Sequence, residues 1–433
     1  MVFLIIIQKE ARQLGLVDPA ISIILALCFL IVLLYRRVNL GIVLPATALL
    51  LALLSLDWSE IPLVLYTTTD PLTSEGRLTI SVVLATFTIM LLSQLYKETR
   101  MINRLSESIG RMINNPKIVL SIIPAVIGFL PVAGGALMSA PIVDTEAEKL
   151  KLKPDKKAYI NFWFRHTIFP VYPITQPLIV AAGLTGVAIP LIVLRQIPVV
   201  LVMIVVGFII SFWKVSNTKK APDQNDAKKG RSNLQQFSVA FSPILVTIVF
   251  AVVIGIAGAG QEMQGFDVLI ATVGGLTVLI CISKPSLAVF VKAFKSLAIY
   301  GVVLATYGAF LLRNVMVTVG ISDIFSPLVA NGSVDLLLLL TVVPAVLGLM
   351  TGSPQGGVAL GVSVLSGIVV SFTPSVASLI YISAFLGYTV APTHLCFTFT
   401  ADYFKCSLGK VYRYLIPSFL AAYLTALAVY FLF

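Results

Sequence analysis

The chain contains two histidines, His166 and His394. Each sits in an apolar segment broken by proline: Asn161–Pro177 (NFWFRHTIFPVYPITQP) and Gly387–Asp402 (GYTVAPTHLCFTFTAD). An imidazole inside a helical bundle can bind an anion when protonated or carry a coupling proton. It can equally stay neutral against a neighbouring carbonyl. Arg165 adjoins His166. Within a bilayer an arginine costs about 2.5–3.5 kcal/mol on insertion scales, unless partnered. Two readings stand: bidentate capture of a carboxylate, or snorkelling toward Lys156 and Lys157. Pro170, Pro173 and Pro392 remove helix hydrogen bonds. Asn161, Thr167, Thr389 and Thr393 therefore join the candidates for solute or ion contact. Asp402 can hold a cation or pair with Lys405.

A second kind of candidate is backbone. Pro131-Val-Ala-Gly-Gly-Ala136 and Thr351-Gly-Ser-Pro-Gln-Gly-Gly357 interrupt apolar stretches with glycine and proline. Helix ends exposed at such breaks offer N–H donors for an anion and carbonyls for Na⁺. Gly134, Gly135, Gly356 and Gly357 permit close approach, and Ser139, Thr351, Ser353 and Gln355 add side-chain partners. Pro131 is grouped with the ion-coupling candidates. Small residues at helix–helix contacts are the structural alternative.

What positions these groups follows from composition. The 433 residues are 58% hydrophobic and 11% charged, against about 25% charged in soluble domains. In lipid every backbone polar group must be satisfied internally, which leaves helices or closed barrels. The apolar runs are continuous rather than alternating, so helices are expected. Candidate spans are 20–35, 38–56, 77–96, 190–212, 237–258, 266–282, 296–313 and 411–433. The net charge of +11 lies mostly in short loops, as the positive-inside rule requires, so no nucleic-acid partner is expected. The first seven residues lack a basic leader, so no cleavable signal is expected. The four cysteines form no CxxC pair and no disulfide framework.

The chain also repeats itself. LATFTIMLL at Leu84 matches LATYGAFLL at Leu304, and PAVIG at Pro124 matches PAVLG at Pro344, both 220 positions on. Gly134-Gly135 matches Gly356-Gly357, and Thr167–Pro170 matches Thr389–Pro392, at 222. His166 then aligns with Tyr388, and Tyr172 with His394. Loop charge reverses between the copies: Lys97–Lys117 is basic, whereas 314–335 contains no Lys or Arg. Two copies in opposite orientation follow, as in many secondary transporters. Residues 118–131 would reach only about 21 Å at about 1.5 Å per residue, short of a roughly 30 Å core.

The expected fold is thus an all-α membrane protein of about ten transmembrane helices and two re-entrant hairpins. Residues 1–212 form the first repeat, with a hairpin at about 118–144 and a broken helix at about 159–190. Residues 213–236 form a cytoplasmic linker. Residues 237–433 form the second repeat, with a hairpin at about 338–372 and a broken helix at about 375–402.

The chain has no P-loop, no HExxH and no evident Ser/His/Asp set, so an enzyme is not expected. Few acids lie deep in the spans, which argues against a cation/proton antiporter, the alternative carrier chemistry. A membrane-embedded enzyme or a non-transport scaffold comes after it.

The motifs NFWFRHTIFPVYP, GFLPVAGGALMSAP and APTHLCFTFTADYF with LGKVYRYLIP resemble the domain-of-unknown-function 401 family of prokaryotic integral membrane proteins. That family is similar to the ion-transporter superfamily of citrate, gluconate, dicarboxylate and TRAP-type permeases. The resemblance implies an ion-coupled, homodimeric carrier in the inner membrane working by an elevator motion. It implies no cofactor beyond Na⁺ or H⁺. The Ser-Asn-Thr tips of sodium symporters in that superfamily are absent here. The expected function is secondary transport of a small anionic organic solute.

Overall fold

In a computed structural model the chain is all-helical among the described residues, which are 17–113, 115–129, 135–216, 226–257, 265–320, 331, 335–366, 368–369 and 371–433. Pro131 and Gly134 lie outside them, as does part of the linker. The helices before the linker are α1 (Pro19–Tyr35), α2 (Leu40–Ser55), α3 (Ile61–Thr68), α4 (Ser74–Glu98) and α5 (Met101–Met112). Then come α6 (Pro116–Gly128), α7 (Ala136–Lys149), α8 (Pro154–Thr167), a 3-10 turn (Phe169–Val171), α9 (Gln176–Thr185) and α10 (Ile189–Phe212). After it come α11 (Asp226–Ala257), α12 (Phe266–Ser283), α13 (Leu287–Phe294), α14 (Leu297–Val319) and α15 (Leu336–Thr351). The last are α16 (Pro354–Leu365), α17 (Pro374–Thr389), α18 (Leu395–Tyr403) and α19 (Leu408–Leu432).

Among the described residues, seven helical stretches are long and apolar enough to cross a membrane: Ser74–Glu98, Pro154–Thr185, Ile189–Phe212, Asn233–Ala257, Phe266–Ser283, Leu297–Val319 and Leu408–Leu432. Their outward faces carry large exposed apolar side chains, such as Leu201, Val205, Val253, Ile256 and Leu424. Lipid is the solvent that tolerates such faces. Three short helices, α3, α5 and α13, were not expected from the apolar runs. Within the segment expected as a linker, α11 begins at Asp226. DAKKGRSNLQQF contains no proline and several good helix formers.

The centre is occupied by α8 and α17. Every residue from Lys157 to Thr167 and from Ala377 to Gly387 is buried. A helix buried on all sides must be approached closely, and glycine allows it. A Cβ at Gly128 of α6 would stand 2.4 Å from the Arg165 carbonyl oxygen. At Gly348 of α15 it would stand 2.2 Å from that of Ala384, and at Gly387 2.0 Å from that of Ala345. The last glycine of each PAVxG motif is thus a contact point between α6 or α15 and a central helix.

The packing is reciprocal. α14 packs on α2, and α4 on α12; α9 packs on α16, and α18 on α7; α8 packs on α19, and α17 on α10. Polar ties pin α8. Lys157 donates to Asp144 of α7 at 2.6 Å, Arg413 of α19 pairs with Asp155, and Trp163 Nε1 donates to the Met203 carbonyl at 2.9 Å.

Helix ends follow a charge rule. Arg37, Arg100, Lys151, Lys214, Lys284 and Lys405 are the non-glycine residues with positive φ among those described. Each lies one or two positions beyond a helix C-terminus. There a cation interacts favourably with the helix dipole, although glycine is the usual occupant. Glycine fills the same role at Gly186, Gly320 and Gly352.

A candidate solute cavity between two broken helices

Pro170 ends α8, which continues as a 3-10 turn and an irregular link to α9. Likewise α17 stops at Thr389, four irregular residues before His394, the N-cap of α18. A third break, the tip between α15 and α16, is a tight turn. α15 ends at Thr351, Gly352 takes φ +58°, and Ser353 caps α16 by accepting from the Gly356 N–H at 3.3 Å. Thr351 Oγ1 donates to the Leu347 carbonyl at 2.7 Å.

These three breaks line an open cavity of about 210 Å³. The first broken helix contributes Arg165, His166, Phe169 and Gln176. The second contributes Tyr388, His394, Leu395 and Cys396. The tip contributes Gly352, Ser353, Pro354 and Gln355, and Met90 of α4 and Val302 of α14 close the rest. Gly356 and Gly357 follow in the first turns of α16. Thr393 packs at the turn: a Cβ on Gly352 would come 2.8 Å from its hydroxyl.

Arg165 is 1% exposed, so it does not snorkel to the surface. Its guanidinium lies against Gly135, where a Cβ would stand 2.3 Å from Nη2. Arg165 thereby bridges the start of α7 and the cavity. His166 and His394 meet with ring centroids 4.8 Å apart and planes nearly perpendicular. Tyr388 stacks on His394 at 3.8 Å, and Phe162 touches both imidazoles. His166 Nδ1 sits 2.7 Å from the Phe162 carbonyl. That bond requires a proton on Nδ1, leaving Nε2, which has no hydrogen-bond partner. One ring nitrogen of His394 faces the Tyr388 carbonyl, and neither reaches good hydrogen-bond geometry. Gln355 donates to Thr306 Oγ1 at 2.8 Å.

Other candidates fall elsewhere. Ser139 Oγ donates to Asn161 Oδ1 at 2.6 Å, and Asn161 Nδ2 donates to the Ala136 carbonyl at 2.9 Å, so this pair forms a satisfied buried knot beside α7. Thr167 and Thr389 donate to the carbonyls of Phe164 and Phe385 in their own helices. Asp402 is exposed at the end of α18. The cavity also contains Met90, Gln176, Tyr388 and Cys396, which were not among the candidates. Gln176 and Cys396 do lie within the two quoted broken segments, and Tyr388 had been aligned with His166.

The family described as "Protein of unknown function (DUF401)" matches residues 20–432. No curated protein matches the sequence. Among solved structures, one described as the Alcanivorax borkumensis YdaH transporter is similar in fold, with a TM-score of 0.58 at 15% identity. The match covers 87% of this chain and 89% of that one.

Proposed function

Since the chain belongs to the family described as Protein of unknown function (DUF401), which names no substrate, we propose from its cavity that it is a secondary carrier for a small organic anion. The observation that carries this reading is the cavity's charge. Arg165 lines it, and no Asp or Glu stands among its described lining residues. A guanidinium can clamp a carboxylate bidentately, while Gln176, Gln355 and Ser353 supply neutral partners. About 210 Å³ lies below the roughly 300–1,000 Å³ of drug-sized sites, which favours a small solute. The fold shared with a structure described as a transporter points the same way.

In this reading the chain is two inverted repeats of five crossings and one re-entrant hairpin each. The reciprocal helix packing supports the repeats. The cationic helix ends support the orientation: every loop that carries one falls on the side that the positive-inside rule assigns to the cytoplasm, and the 213–236 segment falls with them. The membrane is then the prokaryotic inner membrane. The hairpins and broken helices move as a unit against α1, α2, α11 and α12, in a homodimer, driven by Na⁺ or H⁺.

Uptake of labelled small carboxylates into proteoliposomes, with and without Na⁺ and proton gradients, tests the proposal. Gradient-driven accumulation that Arg165→Gln reduces by about 10–100-fold, the value of a hydrogen bond to a charged group, is expected. Absence of uptake for any anion would end it. If His166→Ala and His394→Ala leave proton-driven uptake untouched, proton coupling does not run through the imidazoles.

A further inference from the structure

We propose that His166, His394 and Cys396 form a transition-metal site of the Zn²⁺ type, open to the cavity at its fourth position. The site stands independently of the transport reading. The three side chains are buried, and their ligand atoms lie within 4.8 Å of one another. Ligands about 2.0–2.3 Å from a shared Zn²⁺ stand roughly 3.5 Å apart, so side-chain adjustments of about 1 Å complete the set.

The second observation is the imidazoles themselves. Each is 1% exposed; His166 Nε2 has no hydrogen-bond partner, and the nitrogens of His394 have only the Tyr388 carbonyl nearby, without good geometry. Buried polar atoms are satisfied in most proteins, and here an ion would satisfy them. His166 is set up as metal-bound histidines are. Its Nδ1 is held by a backbone carbonyl at 2.7 Å, which fixes the tautomer and presents the Nε2 lone pair. Stacking by Tyr388 and contact with Phe162 limit ring rotation.

Donor chemistry selects the ion. Two imidazoles and a thiolate suit Zn²⁺ and its neighbours, whereas Na⁺, Mg²⁺ and Ca²⁺ prefer oxygen. Coordination removes the Cys396 proton, which passes to solvent. The thiolate then offsets part of the ion's charge. The cavity that Arg165 also lines leaves room for an anion or water as fourth ligand, the arrangement of an open zinc site.

Cobalt(II) titration of the purified, metal-stripped full chain, carrying no histidine tag, tests the site. One Co²⁺ per chain is expected, with a thiolate-to-cobalt charge-transfer band and tetrahedral d–d bands, both abolished by Zn²⁺ and not by Mg²⁺. Cys396→Ser should remove the charge-transfer band. Cys396→Ser and His394→Ala should each weaken Co²⁺ binding by about 100-fold or more, at or beyond the top of the range for loss of an outer partner. Cys406→Ser should change neither. Should a variant fail to fold, zinc-edge X-ray absorption on the unaltered protein decides, with one sulfur and two imidazole nitrogens expected. Failure to bind stoichiometric Co²⁺, a sulfur band surviving Cys396→Ser, or a zinc shell lacking sulfur would overturn the proposal.

Discussion

The hydroxyl oxygens of Thr86 and Thr306 lie 3.4 Å apart at the buried contact of α4 with α14. The two residues occupy the same place in LATFT and LATYG, 220 positions apart. In the proposed arrangement of two inverted repeats, related elements touch themselves where the axis between the repeats passes, and His166 meets its aligned residue Tyr388 in the same way. Thr306 is also the acceptor for Gln355 from the tip. The tip is therefore tied to the contact between α4 and α14. Thr306→Val would leave the Gln355 amide without this partner in a buried setting, at a cost of about 1–3 kcal/mol. Thermal melting of the purified protein should fall for Thr306→Val, and Gln355→Ala in the same background should lower it little further. Additive losses would show that the two residues act separately.

Gly348→Ala should destabilise by about 1–3 kcal/mol through overpacking. Its Cβ would stand 2.2 Å from the Ala384 carbonyl oxygen, and backbone cannot rotate away as a side chain can. Gly409→Ala is the control, since nothing lies within 4 Å of a Cβ there. Equal melting temperatures for the two variants would contradict the close crossing of α15 and α17.

Lys284 adopts φ 43° at the end of α12, a left-handed conformation that costs a non-glycine residue roughly 1–2 kcal/mol. Glycine there gives up a favourable dipole interaction of about 0.3–1 kcal/mol and removes the larger backbone cost. Lys284→Gly should therefore raise the melting temperature slightly. A clear drop would mean that the cation has an energetic role beyond closing the helix.

Much of the fold could be read from the sequence because lipid makes a continuous apolar run nearly synonymous with a helix. The eight expected spans fall on helices to within about two residues, and six of them are among the seven described stretches long enough to cross a membrane. The breaks at Pro170, Pro173 and Pro392 were also expected, because proline removes a donor, although Pro45, Pro198 and Pro417 stand inside continuous helices. The short helices α3, α5 and α13 were hidden. They are too brief or too polar to give an apolar run, and only packing stabilises them. The cavity was legible at Arg165, His166, Ser353, Gln355 and His394, where polar residues interrupt apolar context. Ser139 and Asn161 look alike in sequence yet bond to each other, which spacing does not reveal. Cys396 escaped notice because a lone cysteine in an apolar run is indistinguishable from a small hydrophobe. Its meaning comes only from the two histidines beside it in space.

Gly135 and Arg165 give a test of the cavity that leaves the guanidinium chemically intact. A Cβ at Gly135 would stand 2.3 Å from Nη2 and 2.8 Å from Cζ of Arg165, so Gly135→Ala must displace the planar head that the proposed anion meets. Arg165→Lys keeps the charge and loses the fork. If the anion is held bidentately, both variants should raise KM for uptake by about tenfold or more while the protein remains folded, because a bidentate pair depends on fixed geometry. If charge alone attracts the solute, Arg165→Lys should transport nearly as well as the unaltered protein. KM measured across the three proteins in the same vesicles separates the two. A lysine variant with unchanged KM would reduce Arg165 to a source of positive potential.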